Sequence, residues 1–396
     1  MGSATAGPAP IEELFSAGIP GRKLVGMVDA PPLPPPAIEQ PAPRQVSYGL
    51  VSGRSAPGVR RVVVSADGRV LASRPFRGRR FALRVALPLG DVSVRVTTVT
   101  AGGRRASTLV RDVFALPTAS RPRVVRARRD RALGRTVGKL ARVHGGTAAI
   151  YARSLSGGGG AAWNARARFP AASTVKLAIA AAALAAHQGI PPPGSRLGGL
   201  LRKLITVSDD QAANDLLVWL AGSTSAGGQR VNALMRSIGL ADTLMYGGYD
   251  VRSLAADIPV RVEEQPAFGV GKYTTAYDMA ELWRALWLAS GGVGPLRAAQ
   301  PGLSAAECRH LLWLAAHVRD LPKLDRVERG RPGVRVLHKA GWISTARHDT
   351  GLVFWPGGVF VASVMTWNAR GAGVSGDVLA GRVASTLLAR LRRTEA

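Results

Sequence analysis

The sequence predicts a multidomain chain: a small all-β sandwich, then a larger α/β domain whose antiparallel sheet is flanked by helices. Three observations predict it. Residues 46–118 contain short runs that alternate apolar and polar side chains, the period of a half-buried strand. Residues 119–396 place strand patterns at both ends and helical patterns between them. Residues 1–45 are rich in Pro, Ala and Gly, including Pro31-Pro32-Leu33-Pro34-Pro35-Pro36; such a stretch favours extended chain, cannot build a core, and is read as a disordered tether.

The elements follow in order. Val62, Val63 and Val64 lead into Asp67-Gly68 and then Val70 and Leu71, a hairpin signal because Gly supplies the positive φ of a tight turn. Phe81 to Val85 and Val92 to Val96 alternate as strands. In the larger domain a basic helix is expected over Val125 to Val143, a strand over Thr147 to Leu155, a turn at Gly157 to Gly160, and a returning strand from Ala161. An Ala-rich helix is expected from Ser173 to His187, stopped by Pro191-Pro192-Pro193-Gly194. Helical patterns recur at Leu197–Thr206, Gln211–Leu220, Val231–Ile238, Thr274–Leu288 and Ser304–Val318, the last opened by a Ser304/Glu307 capping box. Val334–Leu337, Gly351–Trp355 and Val359–Trp367 read as strands, and Val378–Arg393 as a closing helix.

With 396 residues, 46% of them apolar and 20% charged, the chain can bury a full core; the 47 Gly and 26 Pro follow no collagen repeat. The longest apolar run, Leu177 to Ala186, has ten residues, about half of what a membrane-spanning helix needs, so no transmembrane segment is expected. Cys308 is the single cysteine, which excludes an intramolecular disulfide and a Cys-based zinc site. The six His residues are scattered, so no metal is implied. The N-terminus has no basic start followed by an apolar stretch, and no signal peptide is visible.

The net charge of +28 suggests a polyanionic partner, but 46 of the 53 basic residues are Arg, a pattern closer to compositional bias than to a designed face. Residues 46–145 hold 22 basic and four acidic side chains. Solvated surface charge is the plain reading; an anionic cell-wall polymer held by the basic β-layer is the functional one. Nucleic acid is not expected, because residues 46–145 hold only four aromatic residues, Tyr48, Phe76, Phe81 and Phe114, against 22 basic ones.

The chemistry concentrates in three clusters. In Phe169-Pro170-Ala171-Ala172-Ser173-Thr174-Val175-Lys176, Ser and Lys are three residues apart at a helix start, so their side chains share a face. Serine needs a group that takes its proton, and a lysine with a lowered pKa can do so. Val207-Ser208-Asp209-Asp210-Gln211-Ala212-Ala213-Asn214 is a polar loop entering a helix. Leu337-His338-Lys339-Ala340-Gly341-Trp342 ends an apolar strand with a cation and then small residues that let a ligand approach the backbone.

Together and in this order, the clusters resemble the penicilloyl serine transferase superfamily, and class A β-lactamases most closely. The separation of 166 positions from Ser173 to Lys339 is close to the family's spacing, and Gly146 to Tyr151, Ser208 to Leu217 and Thr274 to Ala280 resemble its flanking elements. The resemblance covers about residues 120–396. It implies a sheet domain with an all-helical part, no cofactor, and an exported or cell-envelope enzyme. It implies Ser173 as the acylated nucleophile, Lys176 as its proton acceptor or relay, Ser208 as the donor to the leaving nitrogen and Lys339 as the holder of a substrate carboxylate. The backbone N–H groups of Ser173 and Trp342, beside Gly341, would form the oxyanion hole.

Three departures qualify the activity. Asp210 stands where the family usually has Asn; a carboxylate cannot donate to a substrate carbonyl and can pair with Lys176 instead. Ala340 replaces a hydroxyl residue that helps bind the substrate carboxylate, a loss for which Arg347 or His348 is the candidate compensation. The deacylating glutamate has no clear counterpart, Glu263 and Glu264 being the nearest candidates, with Asp250 and Asp257 behind them. The expected function is therefore a serine hydrolase with β-lactamase-like, slow activity on a small β-lactam. The alternatives are a D-alanyl-D-alanine peptidase or esterase acting on an acyl-D-alanyl peptide, and a cell-wall-peptide or penicillin-binding protein that does not hydrolyse.

Overall fold

The computed structural model describes residues 32–249, 266, 268, 271–320 and 322–394. The chain opens with β1 (Ala37–Gln40), β2 (Gln45–Ser47), β3 (Leu50–Arg54), β4 (Val59–Ala66), β5 (Arg69–Pro75), β6 (Arg80–Arg84), β7 (Gly90–Thr100) and β8 (Arg105–Ala115). They form a five-stranded sheet, β2-β8-β7-β4-β5, and a three-stranded sheet, β1-β3-β6. Val51 and Phe81 of the smaller sheet share a core with Val62, Val64, Val94 and Val96 of the larger, the face-to-face packing of a sandwich. Asp67 and Gly68 turn β4 into β5 with φ of 46° and 82°, the left-handed pair that a two-residue hairpin requires. Strand β1 lies inside the stretch read as a tether, pairing Ala37 with Arg54 and Ile38 with Gly53. An extended chain needs no core of its own to join a sheet edge.

The larger part begins with β9 (Arg128–Arg129), α1 (Arg131–Arg142), β10 (Thr147–Ser154), β11 (Gly159–Trp163), β12 (Arg168–Pro170), α2 (Lys176–His187), α3 (Arg196–Thr206), α4 (Asp210–Ala221) and α5 (Thr224–Ser237). It continues with β13 (Tyr273–Thr275), α6 (Ala276–Ser290), α7 (Pro295–Ala299), α8 (Ala305–Ala315), β14 (Arg335–Ile343), β15 (Ala346–Trp355), β16 (Gly358–Trp367) and α9 (Ser375–Thr394). Six strands order as β14-β15-β16-β10-β11-β9. Both faces are covered, because alternate residues of each strand feed different cores. Ile150, Phe360 and Val364 pack with Leu133 and Val137 of α1 and Val383 and Leu387 of α9. Ala149, Leu352 and Val361 pack with Leu177 of α2, Trp283 of α6 and Leu312 of α8.

Several boundaries differ from the sequence expectation: α5 starts at Thr224, β14 runs to Ile343 and β15 starts at Ala346. The basic helix starts at Arg131 rather than Val125, because Asp130 accepts the Leu133 N–H at 3.0 Å as N-cap and Arg128-Arg129 is taken into the sheet. Helix α2 starts at Lys176, so Ser173 lies in the turn before it. The Ser304/Glu307 capping box forms as expected.

The sandwich is fastened to the larger part. Val46, Tyr48, Phe114 and Leu116 belong to the same buried cluster as α2, α6 and α8. Arg309 of α8 donates to Gln45 Oε1 at 2.8 Å, the Tyr48 and Ser290 hydroxyls share a bond of 3.0 Å, and Arg335 donates to Leu89 O at 3.0 Å. Among the described residues, no helix is long and apolar enough to cross a membrane.

Candidate active site

Ser173 is half-buried in the turn that joins β12 to α2. Four bonds pin this turn. The Ala171 N–H donates to Lys272 O at 2.9 Å, Thr174 Oγ1 to Ala171 O at 2.6 Å, Tyr249 OH to Ala172 O at 3.0 Å, and His348 Nε2 to Pro170 O at 2.8 Å. They hold Ala172 at φ 46°, a conformation that costs a non-glycine residue about 1–3 kcal/mol and persists only where its surroundings enforce it. His348 is thus a brace. Its Nδ1 accepts the Thr366 N–H at 3.2 Å, and burial pushes its pKa down to about 4, so it stays neutral.

Lys176 has no solvent exposure. Its ammonium donates to the carbonyl of Ser208, pairs with Asp210 Oδ1, and lies 3.4 Å from Ser208 Oγ and 4.5 Å from the Tyr249 ring centre. An ammonium can be buried only with such partners. The Asp210 pairing anticipated from the sequence is therefore present, and Asp210 itself is part-exposed.

Ser208 occupies the corner between α3 and α4 at φ 59°. Asp209 caps α4 by accepting the Ala212 N–H at 2.6 Å, which leaves Asp210 on the first turn facing Lys176. Lys339 of β14 donates to Ser208 Oγ at 2.8 Å and to Ala340 O at 2.8 Å. One hydroxyl therefore lies beside two buried ammonium groups.

Strand β14 is an edge of the six-stranded sheet. Its period of two sends Lys339 and Gly341 to one face and His338 and Ala340 to the other. A Cβ on Gly341 would lie 2.7 Å from Ser173 N and 2.8 Å from Thr174 N, so only glycine lets the strand meet the serine turn this closely. Lys339 is fully buried; burial first, then Lys176, pull its pKa down to about 7 against the opposing pull of Asp320 and Asp349. On the far face, His338 Nδ1 donates to Asp349 at 2.9 Å. Burial alone would lower this imidazole's pKa, but the Asp349 carboxylate outweighs it and the pKa is raised.

Asp325, His338 and Asp349 bring their ligand atoms within 4.8 Å of one another. All three already have partners: Asp349 also accepts the Leu324 N–H at 2.8 Å, and Asp325 accepts the Lys323 N–H at 2.5 Å. The cluster braces the strand beneath Lys339.

The structure thus links Lys176, Ser208, Asp210 and Lys339 through direct side-chain contacts and sets Gly341 against the backbone N–H of Ser173. Ala340 is buried and offers no polar side chain, and Trp342 is exposed next to Gly341. Arg347, a candidate for the substrate carboxylate, is held elsewhere: its Nε donates to Ala372 O at 3.1 Å and its Nη1 to the buried carboxylate of Asp377 at 2.9 Å. Glu263, Glu264, Asp250 and Asp257 lie outside the described residues. Sequence reasoning missed Tyr249, whose ring faces Lys176 at 4.5 Å and Lys272 at 5.0 Å, and the role of Asn214, whose amide accepts from Tyr249 N at 2.7 Å and donates to Tyr249 O at 2.8 Å. Asn214 sits in the second cluster, which was the available signal; Tyr249 carried none.

The β-lactamase enzyme family model matches residues 132–189 and 191–391. The chain belongs to the β-lactamase enzyme family. Solved structures similar to this β-lactamase-family protein include PBP-A, at TM-score 0.54 and 20% identity over 68% of this chain and 100% of that one. A β-lactamase from Streptosporangium roseum aligns at TM-score 0.52 and 19% identity over 67% and 100%. A variant of the last common ancestor of Gram-negative bacteria class A β-lactamase aligns at 0.52 and 21% over 66% and 99%. These likenesses establish the β-lactamase-like fold. No curated protein matches the chain in sequence.

Proposed function

We propose that this protein is a serine hydrolase that opens β-lactam amides slowly through an acyl-enzyme on Ser173. Ser173 Oγ attacks the amide carbonyl and the C–N bond breaks. The serine proton leaves through Lys176, and Ser208 delivers a proton to the departing nitrogen. Lys339 holds the substrate carboxylate, and the N–H groups of Ser173 and Trp342 receive the oxyanion. Water then cleaves the ester. The observation that carries this reading is the Ser208 hydroxyl at 2.8 Å from Lys339 and 3.4 Å from Lys176, with Gly341 against the Ser173 amide.

Slowness follows from two residues. Asp210 holds Lys176 as an ion pair, so the amine must give up a proton in contact with an anion before it can accept one. Ala340 leaves the substrate carboxylate without a hydroxyl partner at that position. A PBP-A mutant of similar fold, at TM-score 0.51 and 20% identity, is described as an acyl-enzyme complex with penicillin G. It favours a second reading, a penicillin-binding protein or D-alanyl peptidase whose acyl-enzyme persists. In either reading the protein works outside the cytoplasmic membrane, where these substrates are found.

A chromogenic cephalosporin in excess tests the proposal. The expected result is a burst of about one equivalent per protein, then a slow phase. The burst rate falls as pH rises through about 7, because the Lys339 ammonium that attracts the substrate carboxylate is lost above its pKa. Colour change that persists in Ser173→Ala, or none from the wild type, contradicts it.

A further inference from the structure

A concave feature lies on another part of the sheet from Ser173. A cleft of about 770 Å³ opens between α1, β9 and β11. The cleft is lined from β9 to β10, three to five inter-strand steps of about 4.8 Å, or roughly 14 to 24 Å, from β14 at the opposite edge of the sheet. The cleft is therefore no extension of the active site.

Its charge is almost entirely of one sign. Arg128, Arg129, Arg131, Arg135 and Arg142 line it and are exposed. Residues 121–142 hold nine basic side chains and one acidic one, Asp130. That acid is already used: it receives Arg390 at 2.6 and 2.9 Å and caps α1. Behind the exposed arginines, Arg153 also lines the cleft at 9% exposure, and its Nε is buried without a hydrogen-bond partner among the described residues. Its other nitrogens serve Val125 O at 2.5 Å and Glu281 at 3.7 Å. Arg153 Nε is thus an unused donor in the lining that the exposed guanidinium groups share.

The ligand's chemistry follows. Guanidinium forks match the oxygens of phosphate in paired hydrogen bonds, and several of them in one cleft call for several anionic groups in series. A concave site admits one flexible chain, whereas a membrane surface cannot enter it. The rings of the cleft are not free to stack on bases. Trp163 carries the Arg142 guanidinium at 4.9 Å and packs against α1 at Gly138, where a Cβ would lie 3.0 Å from the ring. Tyr151 meets Tyr277 edge-on at 5.2 Å and bonds Glu281. We propose that this cleft binds a single flexible phosphodiester chain without bases, anchoring the protein while the Ser173 edge of the sheet stays open. The site lies beside α1, not on the β-layer that the overall charge pointed to.

The test uses a dye-labelled poly(glycerol phosphate) oligomer and the full-length protein at low and moderate salt. The variant R128Q/R129Q/R131Q/R135Q is expected to lose affinity roughly tenfold or more and to show a flatter salt dependence. The variant R77Q/R79Q/R80Q/R84Q removes equal charge from exposed positions of the sandwich and should stay within about twofold of wild type, because solvent screens distant charge. Unchanged melting of both variants assigns the difference to binding. Equal losses in the two variants would reduce the effect to net charge and overturn the proposal. Failure of the wild type to bind the oligomer, or tighter binding of single-stranded DNA, polyglutamate or phosphatidylglycerol vesicles, would also overturn it.

Discussion

A Gly341→Ala variant is expected to lose acylation of Ser173 by roughly two to three orders of magnitude, the loss that follows when one oxyanion donor is displaced. The added Cβ would lie 2.7 Å from Ser173 N, 2.8 Å from Thr174 N and 3.1 Å from the Ala172 Cβ. Two of these atoms are backbone. They belong to a turn held by Lys272 O, Tyr249, His348 and its own Thr174 hydroxyl. That turn cannot retreat without giving up these bonds, so β14 must move instead. Moving it separates the Ser173 amide from the Trp342 amide and draws Lys339 away from Ser208. The rate of penicillin acylation, followed by mass, checks this beside a melting curve. A wild-type rate would show that the strand and the turn do not cooperate.

A Lys176→Ala variant is expected to acylate about 10²- to 10⁴-fold more slowly than wild type, the range a positioned proton acceptor contributes. Lys176 is fully buried, whereas Asp210 is 43% exposed. Removing the amine therefore leaves a carboxylate that water can solvate, and the fold should survive with a modest loss of stability. The same acylation assay is the check. A rate within threefold of wild type would assign the proton transfer to another group.

Local chemistry made much of the fold legible. Asp67-Gly68 has a single good turn geometry, Ser304 and Glu307 satisfy each other's backbone, and the run from Val359 to Trp367 has the length and composition of a buried strand. Errors arose where a distant partner decides the outcome. Arg128-Arg129 reads as helix by propensity, but pairing with Gly159 and Gly160 draws it into the sheet. Strand β14 extends past Lys339 to Ile343 because β15 offers partners as far as Ala346. The site behaved likewise. Serine and lysine three residues apart were visible locally, and the order of the three clusters made them specific. Tyr249 was not visible, since it reaches Ala172 across 77 residues and is placed by Asn214 across 35. Arg347 looked available in sequence because Asp377, which occupies it, lies 30 residues away on α9.

The proposed ester between Ser173 and a β-lactam is read out by intact mass after mixing with penicillin G. A single adduct of the penicillin's full mass is expected on wild-type protein, mapped to the peptide containing Ser173, that decays over minutes or longer and never forms on Ser173→Ala. No adduct on the wild type together with no turnover, or an equal adduct on Ser173→Ala, would contradict it.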